Sequence, residues 1–133
     1  MTDITSVMKQ VVESSSQLTT WALLVGGGSV AAIVSTSYRR PLLLKFRMPY
    51  LLFIPGWCAL GYSLYSGDLI MRMHLAMHMV STTVASKIPQ DINNAYRDQQ
   101  IFLFVALGFF ATWLLLYLLN WVFSNSLSDG EKK

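Results

Sequence analysis

Apolar residues in this chain fall into three long runs separated by stretches of mixed character. The first run, Gln17 to Tyr38 (QLTTWALLVGGGSVAAIVSTSY), lies in a segment with no charge from Ser14 to Tyr38. The second is Met48 to Gly67 (MPYLLFIPGWCALGYSLYSG). The third and most hydrophobic is Ile101 to Phe123 (IFLFVALGFFATWLLLYLLNWVF). Each has about the 20 residues that cross a hydrocarbon layer roughly 30 Å thick, which predicts spans at about 18–38, 48–67 and 101–123. Ahead of the first run, Ile4, Val7, Met8, Val11, Val12 and Leu18 recur at helical spacing while Lys9, Glu13 and Gln17 fall elsewhere. This predicts an amphipathic helix over 3–17, capped by Thr2 or Asp3. Nothing interrupts the pattern before the first span, so one helix from about residue 3 to 37 competes with a separate helix lying on the membrane surface. The stretch 68–88 is apolar but carries Arg72, His74 and His78, and reads as a second amphipathic helix. The expected fold is therefore an all-α integral membrane protein: three transmembrane helices, an N-terminal amphipathic helix and another between spans 2 and 3. Residues 1–123 form a single membrane domain and 124–133 a polar, disordered tail.

Proline and glycine punctuate this pattern. Pro41 ends the first helix and Pro49 suits the first turn of the second. Pro55-Gly56 falls inside the second run and predicts a kink or hinge there. Pro89 starts a helix that runs through Tyr96 into the third span. Gly26, Gly27 and Gly28 would each weaken a helix in water by roughly 1 kcal/mol relative to alanine, but in lipid small residues let another backbone approach closely. Thr19, Ala22, Gly26, Gly27, Gly28, Ser29 and Thr36 accordingly read either as the lining of a central axis or as a packing seam. Gly108 and Thr112 form a further small-residue pair. Tyr50, Tyr62, Tyr65, Trp113, Tyr117 and Trp121 sit near span ends, as interfacial aromatics do.

Composition narrows the class. Of 133 residues, 53% are hydrophobic and 13% charged, about half the usual charged share of a soluble domain. There is no room for a second, soluble domain. A single cysteine, Cys58, excludes an intrachain disulfide and a cysteine-based metal site. The first twenty residues lack the pattern of a cleaved signal peptide. Net charge is +3, and its placement matters more than its sum. Arg39, Arg40, Lys45 and Arg47 bring four positive charges and no negative one to the loop between the first two spans. Such loops stay in the cytoplasm, which puts the N-terminus outside and the C-terminus inside. Charges in the region Asp68–Gln100 and in the tail after Ser124 each balance, so orientation rests on this loop. It can serve contact with anionic lipid headgroups or reception of an anionic ligand of nucleotide type. Leu42, Leu43 and Leu44, interleaved among the cations, argue against stable binding of duplex nucleic acid.

Two further constellations bear on chemistry. Met71, His74 and His78 share a helical face, with Met73, Met77 and Met79 nearby. Thioether and imidazole suit Cu(I), but methionine is also a flexible core filler, and packing is the simpler reading. No cofactor is otherwise expected. The three spans contain no Asp, Glu, Lys, Arg or His, the groups on which proton relays and ion-coupled transporters depend. No nucleophile elbow, phosphate-binding loop or dinucleotide fingerprint is present, so an enzyme is not expected.

Three short spans enclose no useful conduit alone, but several copies around the first helix would. A homo-oligomeric channel, gated by a hydrophobic constriction and hinged at Pro55-Gly56, is the leading expectation. A non-catalytic accessory subunit of a larger membrane complex is the alternative, with the same glycines as helix–helix seams. In layout, over the three spans and the loop Tyr38–Arg47, the chain resembles the membrane effectors of bacterial anti-phage signalling systems, the Hailong-type channels among them. That resemblance implies a closed resting oligomer in a bacterial inner membrane. An oligonucleotide signal would open it and depolarise the membrane in antiviral defence. It rests on layout without a shared motif, so it assigns no role to a numbered residue.

Overall fold

The computed structural model describes residues 4–37, 48–77 and 87–128, and these are helical almost throughout. Helix α1 covers Ile4–Ser37, α2 covers Phe53–Met77 and α3 covers Ile88–Ser128, with a short 3-10 segment at Met48–Leu52 leading into α2. Met8 of α1, Ile70 of α2 and Ile92 of α3 meet at one end of the bundle, while Tyr50 and Phe53 meet Phe110 and Trp113 at the other. The chain therefore runs up, down and up, with α1 and α3 parallel.

Each helix has an apolar or small-residue stripe at helical spacing, and the three stripes make the core. In α1 it is Met8, Ser15, Ala22 and Ser29; in α2, Phe53, Gly56, Leu60, Ser63, Gly67 and Ile70; in α3, Ile92, Ala95, Gln99, Leu103, Ala106 and Trp113. Spacings of three, four and seven keep each series on one face. Two apolar clusters result. One gathers Met8, Ile70, Ile92 and Ala95; the other Ala22, Ala59, Leu60, Leu103 and Ala106. Small side chains in the second cluster bring backbones close, as helix packing in lipid favours.

One helix over about 3–37 and a helix start at Pro89 agree with the sequence expectation, while the extent of α2 differs from it. The amphipathic segment at 3–17 is continuous with the first span in α1. The separate helix expected over 68–88 is not separate: Asp68–Met77 continues α2 without a break, because Gly67 keeps helical geometry and no proline follows it. The stripe of that continuation packs on Met8, Val11 and Val12 of α1 and on Ile92 and Tyr96 of α3. Helix α3 starts at Ile88, with Pro89 in its first turn where the missing N–H costs no bond. It extends to Ser128.

Two helical stretches, Ser6–Thr36 and Ile88–Phe123, are long and apolar enough to cross a membrane. Helix α1 has 34 residues and α3 has 41. At 1.5 Å per residue these are roughly 50 and 60 Å long, well beyond a hydrocarbon layer of about 30 Å.

Candidate functional site

At the level where the two apolar clusters part, the three helices meet in a buried polar layer centred on Gln99. The Gln99 side chain is fully buried. Its Nε2 donates to the Ser15 carbonyl and to Thr19 Oγ1, both at 3.1 Å, and its Oε1 accepts from Ser15 Oγ at 2.7 Å. Thr19 Oγ1 in turn donates to the Ser15 carbonyl at 3.0 Å. From α2, Ser63 Oγ donates to the Gln99 carbonyl at 3.0 Å. An amide has two donors and two acceptor sites, so the Gln99 side chain fills three of four. An unpartnered buried amide costs about 1–3 kcal/mol. Its partners all lie on α1, so this residue ties α1 to the α2–α3 pair. Gly67 makes the layer possible: a Cβ there would stand 2.7 Å from both Gln99 Nε2 and Thr19 Oγ1.

A second polar tie joins α1 to α2 farther along. Trp57 Nε1 donates to Ser29 Oγ at 2.9 Å, and Ser29 Oγ donates to the Gly26 carbonyl at 2.6 Å. Beyond it lies an aromatic cluster. The Trp113 ring stands edge-on to Phe53 at 4.8 Å and stacks on Tyr117 at 5.5 Å. Gly56 presses against this cluster, since a Cβ there would meet Phe110 Cε1 at 2.7 Å.

Charge divides sharply at the polar layer. Lys9, Glu13, Asp68, Arg72, Lys87, Asp91, Arg97 and Asp98 all lie on the Met8–Ile92 side of it. On the other side no described residue of any of the three helices is charged. The one ion pair among the described residues, Arg72 Nε to Asp68 Oδ2 at 2.7 Å, is exposed on the charged side.

The residues singled out in the sequence separate in the structure. Ala22 and Ser29 are buried inside the bundle, Thr19 joins the polar layer, and a Cβ at Gly26 would stand 3.9 Å from Leu60 Cδ1. Gly27 and Gly28 turn outward, with nothing within 4 Å of where a Cβ would stand. Thr36 is half-buried and its hydroxyl donates to the Ala32 carbonyl at 2.6 Å. Pro55 and Gly56 occupy the first turn of α2 rather than a mid-helix position, where proline interrupts no hydrogen bond. Met71 is exposed and His74 half-buried on α2, and His78 lies outside the described residues. Among the described residues no group of three His, Cys, Asp or Glu side chains could hold a metal ion. Arg39, Arg40, Lys45 and Arg47 lie outside the described residues.

Sequence reasoning missed Gln99, Ser63 and Gly67. A signal was available: Gln99 falls on the same helical stripe as Ile92, Ala95, Leu103 and Ala106, so it had to enter the core wherever they did. Comparison with protein-family models, with curated proteins and with solved structures finds no match to this chain.

Proposed function

We propose that the protein crosses the membrane three times and assembles around α1 into a homo-oligomeric channel. The common charge boundary supports three spans. Beyond the Gln99 layer every helix has a stretch free of charge: α1 from Ser14, α2 back to Met48 and α3 from Gln99. By helical rise each measures about 30 Å or more, the thickness of the hydrocarbon layer. The charged ends of the helices then stand outside the membrane as a short three-helix stub. The loop carrying Arg39, Arg40, Lys45 and Arg47 lies on the cytoplasmic side, where it meets anionic headgroups or an anionic trigger.

The observation that carries the assembly is the two-sidedness of α1. Its inner face is spent on Ser15, Ala22 and Ser29. Its outer face presents Ser16, Thr20, Leu24, Gly27, Ala31 and Ser35, all exposed and spaced by three or four residues. A bare glycine at mid-span lets a second α1 approach closely. The hydroxyls of Thr20 and Ser35 satisfy themselves on the Ser16 and Ala32 carbonyls at 3.1 and 3.0 Å. They therefore add weak polarity to an axis without stranding a donor. Leu24 supplies the apolar ring at which such a pore would close by dewetting. The axis-facing set is thus rotated from Thr19, Ala22, Gly26 and Ser29 to this outer stripe.

Cysteine accessibility in planar bilayers tests the reading, in a Cys58→Ser background. Thr20→Cys and Ala31→Cys should bind a water-soluble thiol reagent and block current, while Ala22→Cys and Ser29→Cys should not. Absence of current from a homo-oligomer, with every position unreactive, would sink it. The second reading, an accessory subunit, is favoured by the filled core of the single chain. The outer face of α1 would then seat a helix of another protein, and native mass spectrometry would find the isolated chain monomeric.

A further inference from the structure

A groove of about 480 Å³ runs between α1 and α2 at the level of the charge boundary. Gly67 and Ile70 are among its buried lining residues, while Val12, Leu64 and Met71 line its apolar sides. The charged side chains lining it are Glu13 from α1 and Asp68 from α2, both carboxylates; no cation lines it. Ser16 adds an exposed hydroxyl to the wall. Arg72 approaches Asp68 from the α2 turn farther from the polar layer, at 2.7 Å.

We propose that this groove is a binding site for a phospholipid with a primary ammonium headgroup, of the phosphatidylethanolamine class. The inference rests on the membrane placement in the proposed function, though not on conduction. Its position is where a headgroup sits: carboxylates at the rim, uncharged helix immediately beyond. A primary ammonium carries three N–H donors, which match the acceptor oxygens of Glu13 and Asp68. Arg72 pairs with Asp68 from the side away from the hydrocarbon layer, so Glu13, Asp68 and Arg72 together leave one net negative charge at the rim, which a single ammonium balances. The apolar wall at Leu64 leads an acyl chain from the rim into the hydrocarbon layer. A soluble amine would satisfy the carboxylates but leave that wall uncovered, and an anionic lipid would meet a rim of net negative charge.

The test is native mass spectrometry of the full chain, released from mixed micelles of phosphatidylethanolamine and phosphatidylglycerol. The wild type should retain one phosphatidylethanolamine per chain in preference to phosphatidylglycerol. Glu13→Gln/Asp68→Asn, isosteric changes at exposed positions, should lower that retention about fivefold while leaving phosphatidylglycerol retention unchanged or raised. Leu64→Trp, which fills the groove, should lower retention of both. Equal retention of the two lipids by the wild type would overturn the proposal, as would a double carboxamide variant that still prefers phosphatidylethanolamine. Displacement by spermidine alone would assign the groove to a soluble cation and also overturn it. Alkaline carbonate extraction of native membranes separates the two failures. A chain that washes off removes the membrane placement itself; one that stays but shows no headgroup preference removes only this site.

Discussion

Gly67 and Gly27 are the same residue in two helices of one bundle, and they meet opposite surroundings. At Gly67 the missing side chain is already occupied, with an amide nitrogen and a hydroxyl 2.7 Å from where a Cβ would stand. At Gly27, in the middle of the conspicuous glycine triplet, there is open space. The first glycine is a condition for the fold of one chain. The second is free for contact between chains. Glycine inside a helix thus carries two different meanings, and only the neighbouring elements tell them apart.

Breaking this contrast at its tight end should produce the largest effects. Gly67→Leu forces Gln99 and Thr19 apart and opens the polar layer. Overpacking of this kind costs about 1–3 kcal/mol before the lost hydrogen bonds are counted, so loss of the folded bundle is expected in denaturant titration by circular dichroism. Gln99→Ala should cost about 1–3 kcal/mol and loosen α1 most. A disulfide between Ala22→Cys and Ala106→Cys, placed in one core cluster in the Cys58→Ser background, would then form less completely. If stability and cross-linking match the parent, the polar layer does not hold α1.

Gly56→Ala sharpens the comparison, because its neighbour is a ring rather than a polar cluster. The added methyl meets Phe110 Cε1 at 2.7 Å, and a loss of about 1–2 kcal/mol is expected. Phe110→Leu in the same chain should recover part of it, and no recovery would place the strain elsewhere. At the open end, Gly27→Ala should leave the stability of the isolated chain within about 0.5 kcal/mol or slightly raised. Gly27→Leu should leave the fold of each chain intact and shift the oligomer toward monomers on native mass spectrometry. An unchanged oligomer would show that Gly27 is no contact. Arg72→Ala gives the smallest effect, about 0.3–0.5 kcal/mol, since its i,i+4 pair with Asp68 is exposed.

Much of the architecture was legible because it depends on periodicity. Helical class, the extent of α1 and the start of α3 near Pro89 follow from local pattern and from proline chemistry. The break expected after Gly67 was misread. Asp68, Arg72 and His74 interrupt the apolar run, but they do not interrupt a helix, whose backbone bonds are indifferent to side-chain charge. Pro55 was likewise assigned to a helix interior because the second apolar run begins at Met48. The 3-10 segment at Met48–Leu52 moves the first α turn to Phe53 and Pro55 with it. Of the candidate site, Thr19 was read as part of the small-residue series along the first span, while Ser15 and Gln99 were not singled out. Their meeting joins positions 84 and 80 residues apart, a relation that spacing along one helix cannot express.

The sequence by itself determined that the chain is helical, that its apolar runs are long enough to cross a membrane, and which side chains share a face of each helix. These are properties of one helix, set by a rise of 1.5 Å and a turn of 3.6 residues. The tertiary structure alone decided which face looks inward. It put Ala22 and Ser29 inside and Gly27 outside, though all three lie within two turns of α1. It brought Ser15, Ser63, Gly67 and Gln99 to one level, because a buried amide left without partners is costly and the nearest partners belong to other helices. The same register aligned the last charges of α1, α2 and α3 at a single boundary.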